Sequence, residues 1–73
     1  MRHFLETMAR ETIVVNQPDG TSIRGVLIAV HRDCLVLAHA RVLGAEADTP
    51  LDGQAVIERS KVAWIQRLSP PEA

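Results

Sequence analysis

The apolar residues of this chain recur with two different periods. Within Met1–Arg10, Phe4, Leu5 and Met8 fall on one side at helical spacing, with Arg2, Glu6 and Arg10 largely opposite. The spacing predicts a helix over about 1–10, too short to persist alone and therefore docked on the rest of the chain. From Thr12 the character turns to β. Thr12–Asn16 is β-branched, and Pro18-Asp19-Gly20 is a turn whose glycine supplies a positive φ. Ser22–Arg32 and Cys34–Leu43 form two long strands, with His31-Arg32-Asp33 as the tight turn between them. A polar stretch follows, Gly44–Gly53, with Pro50 and a second Asp-Gly turn at Asp52-Gly53. Gln54–Arg59 and Val62–Leu68 complete five strands, separated by Ser60-Lys61, and residues 69–73 form a loose tail.

The two central strands break the usual alternation. In Val26–Val30 and Leu35–Leu37 both faces are apolar, so these strands are covered on both sides. One cover is the interior of a small barrel. The other is the N-terminal helix, a neighbouring subunit, or both.

Length sharpens that point. Seventy-three residues make one domain, here 1–68, which buries roughly 60% of the surface its unfolded chain exposes. Small folds compensate with disulfides, metals or self-association. Cys34 is the sole cysteine, and His3, His31 and His39 lack ligand-type spacing. Self-association remains, and the Val-, Ile-, Leu- and Ala-rich apolar content suits it.

Charge and chemistry narrow the function classes. The formal net charge is −1, which rules against a protein held to nucleic acid by bulk charge; any such binding needs local clusters. No apolar run approaches the roughly 18 residues of a membrane span, and Met1–Arg10 has no signal-peptide core. The expected setting is cytoplasmic, with no membrane partner, no cofactor and no metal. No catalytic arrangement stands out, so no enzyme is expected. Cys34 opens an apolar strand beside His31 and Asp33 and is expected to be a buried, inert thiol. His39 and Arg41 are expected to face solvent. Glu46, Asp48 and Asp52 make the segment 45–52 an acidic, exposed hairpin tip.

One run carries a family resemblance. Asp19-Gly20-Thr21-Ser22-Ile23-Arg24-Gly25-Val26-Leu27, then Val30-His31 and Leu35-Val36-Leu37, resembles the first motif of the Sm-like proteins, which include the bacterial RNA chaperone Hfq. The match to the Hfq spacing has no gaps. Gly25 has its own physical reason, since a glycine inside a strand permits a bend or a close backbone approach. Ile57-Glu58-Arg59-Ser60-Lys61-Val62 is similar, more loosely, to the second motif. The resemblance spans roughly Thr12–Leu68. It implies a mainly β fold, in which a short N-terminal helix precedes a strongly bent five-stranded Sm-like, SH3-like barrel.

The resemblance also implies an assembly and a ligand. Sm-like rings of six or seven subunits pair the fourth strand of one subunit with the fifth of the next, which assigns Val56, Ile57, Val62, Trp64 and Ile65 to the subunit interface. RNA contacts in the family fall on the loop after the second strand and on the second motif, here His31, Arg32 and Asp33, and Arg59, Ser60 and Lys61. The departures are specific. Val30-His31 stands where the family has Phe-Asp, and the stacking Phe of Hfq falls on Asp33. The Tyr that Hfq uses on its opposite face falls on Asn16. Base–aromatic stacking contributes about 1–3 kcal/mol per base, so any binding of single-stranded RNA, as a chaperone or regulator, is expected to be weak. The alternative is a protein-only structural or assembly ring.

Overall fold

The computed structural model describes residues 2–68. Helix α1 (Arg2–Glu6) precedes six strands: β1 (Thr12–Asn16), β2 (Ser22–Val30), β3 (Cys34–Val42), β4 (Thr49–Pro50), β5 (Ala55–Glu58) and β6 (Trp64–Arg67). All are joined in one antiparallel sheet in the order β4-β3-β2-β1-β6, with β5 also on β3. The predicted tail 69–73 lies outside the described residues.

The helix is shorter than its apolar spacing predicts. After Glu6 the chain tightens into three-residue turns, with the N–H groups of Thr7, Met8 and Ala9 donating to the carbonyls of Phe4, Leu5 and Glu6. Arg10 then takes a positive φ of 68° and donates to Leu27 O, so the chain enters the sheet directly. Leu5 and Met8 join the interior, but Phe4 stays 59% exposed. The helix therefore closes the barrel interior with Leu5 and Met8, while on the outer face Val14 and Val36 are also buried and Ile28 is partly exposed.

Inward residues alternate along the strands as a pleat requires. Ile13, Val15, Ile23, Leu27, Leu35, Leu37, Ala40 and Ile57 form one cluster with Leu5 and Met8. Two compensating bulges bend the β2–β3 hairpin. Between the pairs Arg24↔Arg41 and Val26↔Ala38, β3 takes three steps to the two of β2; between Leu27↔Leu37 and Ala29↔Val36, β2 takes two to the one of β3. The first bulge contains His39, at a positive φ of 53°. Gly25 faces it, and a Cβ there would lie 3.1 Å from both Ala38 O and Leu37 Cβ. The glycine is thus required by a close backbone approach at the bend.

The polar stretch 44–53 is not a simple hairpin tip. Thr49–Pro50 pairs with Val42 and Arg41 as a short strand, and the Leu51 N–H donates to Ala40 O at 2.9 Å. Leu51 packs against the core cluster. β4 and β5 therefore lie along the same edge of β3, interrupted at Asp52-Gly53, where Gly53 has φ +73°. The exposed loop proper shrinks to about 44–48.

Candidate nucleic-acid and assembly surface

Strand pairing places the two predicted loops side by side. The β2–β3 turn is closed by the His31 N–H donating to Cys34 O at 2.8 Å, and the side chains of His31, Arg32 and Asp33 are exposed. Because Glu58 at the end of β5 is the register partner of Cys34, β5 delivers the 3₁₀ turn Arg59–Lys61 to that same edge. The Arg59 N–H then donates to Asp33 O at 2.8 Å. Its guanidinium Nη1 donates to His31 O at 3.3 Å and to Arg32 O at 3.2 Å. Arg59 is thus the clasp between the loops, with part of its donor capacity committed to backbone carbonyls. Ser60 and Lys61 remain exposed on the clasped turn.

The adjoining flank has two open strand edges. β5 pairs only with β3 and β6 only with β1 among the described residues. Of the residues assigned to an interface, Val56 is 65% and Trp64 58% exposed. Val62 and Ile65 are half-buried against the core. Ile57 departs from the expectation: at 4% exposure it points into the barrel and is core. Strand alternation allows only one of Val56 and Ile57 to face inward, and it is Ile57.

A cleft of about 600 Å³ opens beside β6, lined by apolar side chains that include Phe4, Met8, Val62 and Trp64 and by Arg32, Arg59 and Arg67. Phe4, which the sequence pattern assigned to the docked face of the helix, contributes an exposed ring here instead. Arg67 is fixed by a bidentate pair with Glu11, Nε to Oε1 at 2.7 Å and Nη2 to Oε2 at 2.8 Å, which ties β6 to the start of β1. The hydrogen bond from Arg67 holds the Glu11 carboxyl below its ordinary range.

Cys34 is half-buried rather than buried. Among the described residues no three His, Cys, Asp or Glu side chains gather as metal ligands, and no helix is long and apolar enough to cross a membrane.

No family model matches this sequence, and no curated protein matches it. Solved structures do. A heptameric archaeal Sm protein aligns with a TM-score of 0.81 at 20% identity, over 92% of this chain and 98% of its own. The P. aerophilum SmAP1 heptamer aligns with a TM-score of 0.83 at 20% identity, over 93% and 92%. A chain of the NatC complex bound to CoA aligns with a TM-score of 0.76 at 22% identity, over 86% and 82%. The fold is therefore the Sm-like one: mainly β, with a short N-terminal helix and a bent antiparallel sheet.

Proposed function

We propose that this Sm-like barrel assembles with copies of itself into a closed ring and that the ring holds short single-stranded RNA weakly at the clasped loops. The observation that carries the ring is the pair of open edges. An unpaired strand presents N–H and C=O groups that another strand satisfies. Here one open edge, β5, carries the exposed Val56 and Glu58, and the other, β6, borders an apolar cleft lined by three arginines. The two flanks match in unpaired backbone edge and in exposed apolar side chains. Both Sm structures of the same fold are heptamers, which favours seven copies.

Arg59 joining the 31–33 and 59–61 loops supports the RNA half. It gathers His31, Arg32 and Lys61 on one surface, and a ring multiplies that modest charge into a basic circle. With the stacking residues replaced, phosphate neutralisation carries the binding. Affinity then falls with salt, with a slope near −0.7 per phosphate contacted on single strands, and discriminates poorly among bases.

A protein-only ring or assembly module is the second reading. It is favoured by the commitment of Arg59 to carbonyls and by a chain of the same fold residing in the NatC complex. Fluorescence anisotropy with short oligo-U, oligo-A and oligo-C at two salt concentrations separates the two. The RNA reading expects salt-sensitive binding that Arg32→Ala with Lys61→Ala abolishes while the ring persists in sedimentation. Absence of binding at low salt with micromolar ring leaves the protein-only module.

A further inference from the structure

A second concave surface lies on the outer face of the β2–β3 hairpin, away from the clasped loops. It is an open cavity of about 360 Å³ lined by Thr12, Arg24, Val26, His39, Arg41 and Asp48. Arg24 and Arg41 are direct cross-strand partners. Opposed residues have Cα atoms about 5 Å apart, and like charges so placed repel. Among the described residues neither guanidinium has a hydrogen-bond or ion-pair partner, and both side chains are exposed. Asp48 also lines the cavity but forms no ion pair with either arginine; its Oδ1 accepts the Gly44 N–H at 3.3 Å. His39 reaches this surface from the β3 bulge in a left-handed backbone conformation that β-strands rarely admit. An arginine pair with no direct ion-pair partner and a neighbour in a left-handed conformation thus meet at one cavity, with Asp48 at its margin as the one carboxylate among the lining residues.

We propose that this cavity binds a tetrahedral phosphate oxyanion, held jointly by Arg24 and Arg41, with the Thr12 hydroxyl and the His39 ring as further donors. Guanidinium planes match phosphate oxygens and bind them by charge-assisted hydrogen bonds. A bound anion also turns the Arg24–Arg41 repulsion into a bridged pair. Val30 lies six residues along β2 from Arg24, about 20 Å at the strand rise, so the site is separate from the 31–33 turn and does not depend on the ring or on RNA binding there. The phosphate has two available sources with the same chemistry: a free phosphate or nucleotide, and the backbone phosphodiester of a nucleic acid.

The test uses the full chain at matched ionic strength, with inorganic phosphate against chloride, read by thermal melting and by amide chemical shifts. Phosphate is expected to raise the wild-type Tm and to shift the amides of Arg24, His39 and Arg41 saturably. Arg41→Gln is expected to melt higher than wild type without phosphate, because it removes the repulsion, and to weaken phosphate binding by about tenfold or more. Arg24→Gln provides the same contrast should one variant misfold. Competition by an oligonucleotide lacking terminal phosphates identifies the backbone as the source; competition by uridine monophosphate without it identifies the free form. Two results overturn the proposal. One is a phosphate-induced Tm rise retained in full by Arg41→Gln, which is general salt stabilisation. The other is no saturable shift at the three amides with millimolar phosphate.

Discussion

The two flanks of the barrel are made of similar residues and settle them differently. In β1, β2 and β3 every strand has a hydrogen-bonded neighbour on each side, and Val15, Leu27 and Leu37 are fully buried. In β5 and β6 each strand has one neighbour among the described residues, and Val56 and Trp64 stand more than half exposed. Composition does not separate the flanks, since valine occurs on both. Edge pairing does. The interior is complete within one chain, whereas the β5–β6 flank carries apolar area and backbone groups that one chain leaves unused.

The strongest way to break this contrast is to cut the interior. Leu27→Ala is expected to cost about 2–5 kcal/mol, the range for deleting a buried leucine side chain, measured as the shift in a urea midpoint. A loss well below 1 kcal/mol would show that the interior is loosely packed and that the contrast between flanks is overstated.

Adjacent residues on β5 give a sharper comparison. Ile57→Asp puts an unpaired charge into the core and is expected to unfold the protein. Val56→Asp, one residue away, is expected to leave the far-UV spectrum native while reducing the sedimenting species to an 8.0 kDa monomer. Trp64→Asp on the opposite edge should do the same. A dispersed monomer already present in the wild type at micromolar concentration would remove the assembly half of the comparison.

What was legible in the sequence follows the same division. The sequence predicts β1 at its observed bounds because Thr12–Asn16 is rich in β-branched residues and leads into a turn whose glycine sits at φ +92°. Gly25 was legible because a mid-strand glycine signals close approach, and Ala38 and Leu37 supply it. The meeting of the 31–33 and 59–61 loops followed from the family resemblance. The inward side of β5 was not legible, since Val56 and Ile57 are both apolar and alternation alone does not say which faces in. The split into β4 and β5 was hidden by Pro50 and Asp52-Gly53, which read as loop although they mark a strand edge broken at the bend. The β3 bulge was also hidden, because His39 carries no local sign that it takes a positive φ.

The region between the flanks tests the revised boundary of the acidic loop. Deleting Ala45–Ala47 removes exposed residues and is expected to change stability by about 0.5 kcal/mol or less. Leu51→Ala, only four residues beyond, removes packing against the core and is expected to cost about 1–2 kcal/mol. Equal effects of the two changes would mean that 44–51 behaves as one loop and that β4 contributes nothing.

The smallest effect concerns the tie that closes β6 onto β1. Glu11 accepts two hydrogen bonds from Arg67, and that bonding, ahead of simple charge attraction, lowers its pKa. Asp19 is lowered chiefly by the Thr21 N–H, at 2.9 Å, in the turn before β2. A carboxyl whose pKa is depressed on folding stabilises the protein above its unfolded pKa, about 4.3 for Glu and 3.9 for Asp. The contribution is lost as pH falls through the folded value. Asp19 is exposed and Glu11 is half-buried at the surface beside the exposed Arg67, so screening keeps the effect modest. Urea midpoints should therefore be flat from pH 7 to about 5 and decline below about pH 4. Arg67→Gln is expected to remove the Glu11 part of that decline and leave the Asp19 part, because the Thr21 bond lies in a turn that Arg67 does not touch. An unchanged acid slope in Arg67→Gln would mean that the pair is present without coupling to folding, and that β6 is held to β1 by its backbone ladder alone.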